Sequence, residues 1–482
     1  MIEADPSLVP ADLTPAIERM WGVSAGKILA VEQACPPDGP APVFTAAGRY
    51  TARGWTEWTR GFQYGSAALQ FEATGDSDML NLARQRTRGD MAPHLTATGV
   101  HDHGFQNVST YGNLWRLAKA GRFDATPEEI EVYETALRVS GAVQAMRWAK
   151  TDDGGGYVYS FNGPQSLFVD TLRSLRALAI SHALGHELHG EQDAHISLLG
   201  RLIQHARSTA RHNVWYGGSS PYLPEGELRD AYDLRGRTSH ESIFNPNNGV
   251  FRCPSTQQGY SPFSTWTRGL AWAMLGFAEQ LEFLDTRTDA ELEPYGGRAD
   301  VEAMMLSAAQ ATCDFYVEHT PPDGVPYWDT GAPGLASIPD WRDAPADPYN
   351  EHEPVDSSAG AIACQGLVRL GARLSQSKAA GAAESGGAYL SAGLKTLATL
   401  LGEPYLGTDA DHQGLLLHSV YHRPNDWDYI PPGRSIPCGE ACMWGDYHLR
   451  EAALHVQHLA QGGTGYRFFE PAPRASVAGV SS

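Results

Sequence analysis

Basic residues are scarce in this chain. Its 36 lysines and arginines face 56 aspartates and glutamates, a net charge of −20 over 482 residues. So acidic a protein makes a poor ligand for nucleic acid or an anionic membrane, and neither is expected as a partner. Cysteine is scarcer still, six in all, far below the density of a disulfide framework. Cys438 and Cys442, in CGEAC, have no second pair at zinc spacing to accompany them. No apolar run approaches the ~20 residues needed to span a bilayer, and the opening MIEADPSLVPADL lacks a basic stretch leading into an apolar one. These absences predict a cytoplasmic protein. Cofactor signatures are missing too: there is no Gly-rich phosphate loop, G-x-S-x-G elbow or HExxH, and the glycines at 154 to 156 run into YVYS and read as a turn.

What the chain does have is aromatic residues gathered at the heads of long apolar segments. Six segments share one design: WTRGFQYGSAALQFEATGD from Trp58, HDHGFQNVSTYGNLWRLA from His101, SLFVDTLRSLRALAISHALG from Ser166, STWTRGLAWAMLGFAEQLEFL from Ser264, VDSSAGAIACQGLVRLGARL from Val355 and MWGDYHLREAALHV from Met443. Each opens polar and aromatic, then becomes apolar around most of its circumference, the mark of a buried helix. Between them lie segments with one charged face, such as PEEIEVYETALRVSGAVQAMRWA and VEAMMLSAAQATCDFYVEH. Six buried helices alternating with six amphipathic ones predict an all-α fold, an (α/α)6 toroid of helical hairpins with short β-hairpins and long loops at one rim. Such a ring places all six polar heads at one end, where binding sites form on a rigid scaffold. We expect one domain over residues 1–482, an insertion at about 214–258 and a loose tail from about 463. The insertion, rich in Gly, Pro and Asn, is longer than a plain loop and reads as a functional element.

Within the heads, certain side chains suggest chemistry. Asp102 sits between His101 and His103 just before a helix, where it either caps that helix or serves a site. Asp170 lies among Phe168, Val169 and Leu172; half-buried, it would have the raised pKa of a general acid, or else pair with Arg173 at i+3. Trp266 and Arg268 alternate in TWTRG, as a stacking-and-fork clamp for a sugar carboxylate or as a packed cation–π pair. His240, in GRTSHESIFN, reads by itself as a loop histidine, and Asp356 reads as a helix N-cap.

Taken in order, the six heads resemble those of the unsaturated glucuronyl hydrolases, glycoside hydrolase family 88, and their unsaturated rhamnogalacturonyl relatives in family 105. The family's W-x-x-G-F-x-x-G is similar to Trp58, Gly61, Phe62 and Gly65; HDxGF to His101, Asp102, Gly104 and Phe105; its inner-helix aspartate to Asp170. Its S-x-W-x-R-G-x-A-W is similar to Ser264, Trp266, Arg268, Gly269, Ala271 and Trp272, its DSSAxAI to Asp356 through Ile362, and its closing W-G-D-Y to Trp444 through Tyr447. The resemblance implies a hydrolase without metal or cofactor, monomeric or homo-oligomeric, acting on small oligosaccharides that end in a 4,5-unsaturated uronic acid. It implies Asp170 as the acid that protonates C4, Asp102 as its assistant, and His101, His240, Gln258, Trp58, Trp266 and Arg268 as substrate-binding groups. Gln63 and Arg173 depart from the family pattern and are expected to reshape a subsite.

Overall fold

The computed structural model describes residues 1–54, 57–218 and 233–469. Among these, twelve helical segments alternate as the sequence predicts: α1 (Thr14–Ala34), α2 (Arg60–Thr74), α3 (Ser77–Asp90), α4 (103–119), α5 (Pro127–Met146), α6 (171–183), α7 (Leu198–His212), α8 (Thr267–Leu284), α9 (Gly297–His319), α10 (Ser357–Ser375), α11 (Ala382–Leu400) and α12 (Met443–Ala460). The even-numbered helices pack side by side in a closed inner ring, each against the next and α12 back against α2. The odd-numbered ones lie outside, and α1 closes the outer layer by packing on both α2 and α12. This is an (α/α)6 toroid. All 18 residues of α8 are buried, because an inner helix has no wet side.

Close approach between inner helices depends on a few glycines. A Cβ on Gly104, at the head of α4, would collide with the backbone of Ser174 in α6, and one on Gly61 in α2 would meet the backbone of Gln106. Charge then fills the axis. Arg173 and Arg176 of α6, Glu279 and Glu282 of α8, Arg369 of α10 and Glu451 of α12 form a buried lattice. Its distances are 2.8 Å for Arg173–Glu279, 2.9 Å for Arg173–Glu451, 3.3 Å for Arg176–Glu451 and 2.8 Å for Arg369–Glu282. Arg173 is fully buried there, so its expected place in a substrate subsite is corrected. Its guanidinium turns down the axis toward two glutamates instead of up toward solvent or across to Asp170. Gln63 is corrected likewise, since it holds the Cys35 carbonyl at 3.1 Å and takes a hydrogen bond from Arg60 at 3.0 Å, away from the central cavity.

Short strands dress the ends of the ring: β1 (Phe44–Ala46) with β2 (Arg49–Thr51), β3 (Trp148–Lys150) with β4 (Gly156–Val158), a three-stranded sheet in which β8 (Glu241–Phe244) lies between β5 (Ser166–Phe168) and β9 (Phe251–Ser255), and, in the connection between α6 and α7, β6 (Leu188–His189) with β7 (His195–Ile196). The three-stranded sheet corrects two expectations. Ser166–Phe168 is a strand and not the start of a helix, and the described part of the expected insertion forms the two strands that brace it; residues 219–232 of that insertion lie outside the described residues. The tail is also tighter than expected over 463–469: Tyr466 is buried, donates to Asn113 Oδ1 at 2.8 Å and offers its carbonyl to Arg369 at 2.6 Å. Residues 470–482 of that tail lie outside the described residues.

Glu451 sits where two arginines meet, and their positive charge more than offsets its burial, holding its carboxyl far below the usual range. Glu451→Gln is therefore expected to lower unfolding stability by about 3–5 kcal/mol, since it leaves buried guanidinium groups uncompensated. Denaturant unfolding of the two proteins measures it, and a loss under about 1 kcal/mol would show that the lattice is not a paired network.

Candidate active site

Asp102 is held by hydrogen bonds made to its neighbours. The Ser174 hydroxyl donates to the His101 carbonyl at 2.7 Å and accepts from the Gly104 N–H at 2.9 Å, while Gln144 donates to the same carbonyl at 2.8 Å. The two histidines flanking Asp102 then diverge. His103 turns outward, bonded to Ser140 Oγ at 3.0 Å and to the Ala97 carbonyl at 2.9 Å. His101 turns inward. The Asp102 carboxylate makes no capping hydrogen bond to α4, so the cap reading fails and the group is left to the cavity.

Asp170 arrives at the cavity from the other side. β5 pairs with β8 so that Phe168 opposes Glu241, and the Val169 N–H donates to the His240 carbonyl at 2.9 Å. The strand ends there, and Asp170 occupies the cap position of α6. His101 Nε2 lies 3.6 Å from Asp170 Oδ1 and 3.8 Å from Asp102 Oδ1. One imidazole nitrogen thus faces two carboxylates.

Burial and charge divide the protons among these three groups. Burial disfavours the His101 imidazolium, but Asp102 and Asp170 outweigh it and raise the His101 pKa. Burial, opposed by His101 and reinforced by Asp170, lifts Asp102 to about 6. Burial also pushes Asp170 up, yet His101 pulls harder, by side-chain hydrogen bonding and by charge, and the Asp170 pKa falls below the usual value. The expectation that Asp170 would have the raised pKa is therefore corrected: Asp102 does, because His101 is the nearer to Asp170 and favours its anion through side-chain hydrogen bonding as well as charge.

The cavity measures roughly 720 Å³ including its open mouth, and its lining includes Trp58, His101, Asp102, Asp170, Gln258, Trp266 and Arg268. Seven of the nine residues predicted for a site therefore converge. His240 stands just behind the wall, between Phe168 and Trp266 with ring centroids at 4.4 and 4.7 Å. Its Nδ1 accepts the N–H groups of Gln257 at 3.0 Å and Gln258 at 3.3 Å, which fixes the loop that carries Gln258. Nε2 then carries the proton, and it has no hydrogen-bond partner among the described residues. Burial pushes this imidazole down to about 3, so it stays neutral.

Arg268 departs from the expected clamp. Its Nη1 donates to Asp356 Oδ2 at 2.8 Å and to the Val420 carbonyl; its Nη2 donates to Gln258 Oε1 at 2.8 Å and to the Tyr421 carbonyl at 2.7 Å. All four terminal N–H groups are engaged, so no open fork remains for a sugar carboxylate. The guanidinium instead lies between two indoles, 4.7 Å from Trp266 and 5.0 Å from Trp444, and it turns the Gln258 amide so that its NH2 is left for a ligand. Asp356 does cap α10, accepting the Ser358 N–H at 3.1 Å, while also holding Arg268.

One wall of the cavity was not foreseen. Trp58 stacks on Trp444 at 5.3 Å, Trp444 meets Tyr421 at 5.3 Å, and Tyr421 meets Trp427 at 5.4 Å, with His422 beside it at 4.8 Å. Tyr421, His422 and Trp427 come from the irregular VYHRPNDWDY stretch, which carries the same aromatic and polar mixture as the helix heads but precedes no helix. Asn425 meets His422 Nε2 at 3.3 Å, which assigns the proton to Nδ1, a buried donor with no partner among the described residues.

No protein-family model matches the chain. It is similar to curated relatives named unsaturated glucuronyl hydrolase: one from Formosa agariphila, 26% identical over 408 residues, 84% of this chain and 80% of that protein, and one from Bacillus sp. strain GL1, 26% identical over 434 residues, 88% of this chain and 92% of that protein. The crystal structure of the unsaturated glucuronyl hydrolase from Bacillus sp. GL1, described as responsible for the degradation of glycosaminoglycan, superimposes with a TM-score of 0.65 at 22% identity, covering 94% of this chain and 99% of that one.

The Asp102 pKa carries a stability consequence. Near or below pH 3.8, its ordinary value, the carboxyl is protonated both folded and unfolded; as pH rises through about 6 the folded state must ionise a group that it holds better when neutral. Two units correspond to about 3 kcal/mol. Asp102→Asn is accordingly expected to be more stable than the wild type by up to about 3 kcal/mol near neutral pH, with the gap closing at low pH. Unfolding midpoints measured across that range test this, and equal stabilities near neutrality would refute the raised pKa.

Proposed function

We infer that this chain, a relative of the unsaturated glucuronyl hydrolases, is a glycosidase-type hydrolase that removes a 4,5-unsaturated uronic acid from the non-reducing end of an oligosaccharide by hydrating its C4=C5 bond. The observation that carries this reading is the sharing of His101 Nε2 by both cavity carboxylates. Displacement at the anomeric carbon asks two carboxyl groups to work on opposite sides of the glycosidic bond in separate roles. Carboxyls coupled through one imidazole behave as a single proton-exchanging unit, which suits the addition of a proton and a water across a double bond.

The division of labour follows from acidity. An alkene carbon is a weak base, so the better donor is the stronger acid, and Asp170 is the carboxyl whose anion His101 stabilises most. The incoming uronate adds a negative charge to a dry pocket and raises both carboxyl pKa values, so binding loads the pair with a proton. Asp170 delivers that proton to C4. Water attacks C5 and returns a proton to the Asp170 carboxylate, while Asp102 orients the sugar and the water. The hemiketal so formed rearranges and expels the remaining oligosaccharide. Trp58, Trp266 and the aromatic wall take the faces of the sugar ring, and the Gln258 amide and His422 Nδ1–H act as neutral donors to its carboxylate. A cytoplasmic setting is supported by the six cysteines, none of which is joined in a disulfide.

A lyase-generated unsaturated disaccharide loses its ultraviolet absorbance when the double bond is hydrated. Incubation with the protein is expected to abolish that signal, and Asp170→Asn to slow the loss by about 10²- to 10⁴-fold; release of the aryl group from a saturated aryl glucuronide with no loss of alkene absorbance would overturn hydration. His422→Phe keeps the ring but removes the donor, and is expected to raise KM about tenfold with little change in kcat, the signature of lost ground-state binding. Unchanged KM in steady-state kinetics would remove His422 from the site.

A further inference from the structure

Far from the cavity, the connection between α6 and α7 brings two histidines and a glutamate together. α6 starts at the rim beside Asp170 and runs away from it for 13 residues, roughly 20 Å at 1.5 Å per residue. The chain then turns back through the β6–β7 pair, in which His189 lies directly opposite His195. Directly opposed residues of an antiparallel pair share a face, and these two rings have centroids 4.9 Å apart. Glu187, two residues before His189, reaches the same face, where its Oε1 meets His189 Nε2 at 3.1 Å and His195 Nδ1 at 2.5 Å. Among the described residues this is the one group of three or more His, Cys, Asp or Glu side chains with converging ligand atoms, all within 4.8 Å of one another.

We propose that Glu187, His189 and His195 form a binding site for a borderline divalent transition ion, of which Zn²⁺ is the type, with water completing the tetrahedron. Two imidazoles and one carboxylate suit such an ion, whereas Mg²⁺ and Ca²⁺ take oxygen ligands. Ligand bonds of about 2.0–2.2 Å put neighbouring donor atoms about 3.3 Å apart in a tetrahedral shell, so the two Glu187–histidine spacings need to open by less than about 1 Å, and the two histidine nitrogens already lie within 4.8 Å of each other. The side chains are free to do so, being 71% exposed for His189, 65% for His195 and 43% for Glu187. The protons now held between the rings and the shared oxygen move to the outer ring nitrogens or to water, and the metal takes their place. The bound ion ties β6 to β7 and so stiffens the α6–α7 connection. It takes no part in the chemistry at the opposite end of the ring, and the site stands independently of the proposed activity.

The test is calorimetric titration of Zn²⁺ into the untagged, chelator-stripped full chain, beside His189→Ala, His195→Ala, Glu187→Gln and, as a control, the exposed His352→Ala. One saturable ion per chain is expected, with affinity at least about tenfold weaker in each of the first three and unchanged in the control; changes to groups merely behind a ligand already cost about 10- to 100-fold. Cu²⁺ in place of Zn²⁺ should show coupling to two imidazole nitrogens by electron paramagnetic resonance. Absence of saturable binding, or equal affinity in the ligand variants, overturns the site. Circular dichroism spectra and unfolding midpoints of the metal-free variants that match those of the metal-free parent chain confirm that they are folded.

Discussion

The barrel axis decides what the rest of the molecule can do. Six helices in a ring leave a centre that side chains must fill, and here the filling is charged: three arginines and three glutamates drawn from four inner helices. Well-packed hydrocarbon of similar volume would be about as stable. Ion pairs differ in having direction. Each fixes the rotation of the helix that carries it, because a guanidinium misplaced by one position would be a buried charge without a partner. Arg173 shows the consequence. It lies one turn inward of Asp170, so fixing Arg173 on Glu279 and Glu451 also fixes the head of α6. The lattice forms the foundation beneath the cavity.

Above that foundation the site is built from exclusions. The Asp102 side chain makes no cap, His103 is committed to the outer layer, Arg268 has no terminal N–H left, and His240 is occupied on one nitrogen. What remains unsatisfied is the edge of His101 shared by two carboxylates, the Gln258 amide, His240 Nε2 and His422 Nδ1. Buried polar groups without partners are costly, and their gathering in one place is the physical signature of a site that a ligand completes. Aromatic rings surround them, keeping the local dielectric low and making each hydrogen bond to a ligand stronger than it would be in water.

The twelve helices were legible because periodicity is local: an apolar circumference or a charged face shows within a few turns of sequence. The six heads held six of the cavity residues, and the family resemblance added Gln258. The errors were all non-local. Ser166–Phe168 is a strand only because Glu241–Ile243, some seventy-odd residues on, supplies its hydrogen bonds. Arg268 looked like an open fork because its partners, Asp356, Val420 and Tyr421, lie far along the chain. Arg173 sits at the right spacing to meet Asp170, but two glutamates from other helices compete for it and win. The 421–427 wall was missed because irregular backbone has no period to reveal it.

For the substrate proposed above, the saturated Arg268 changes how a negatively charged sugar is to be held. A free guanidinium would bind the uronate strongly and neutralise it, leaving the neighbouring carboxyls no reason to take up a proton. Neutral donors orient the uronate without cancelling its charge. Its field then acts on Asp102 and Asp170, in a pocket where His101 is the group that carries compensating charge. The carboxyl pKa values must rise, and protons enter the pair as substrate enters the cavity. On the proposed mechanism binding and acid loading are thereby one event: Asp170, an anion at rest, becomes an acid only when there is something to protonate.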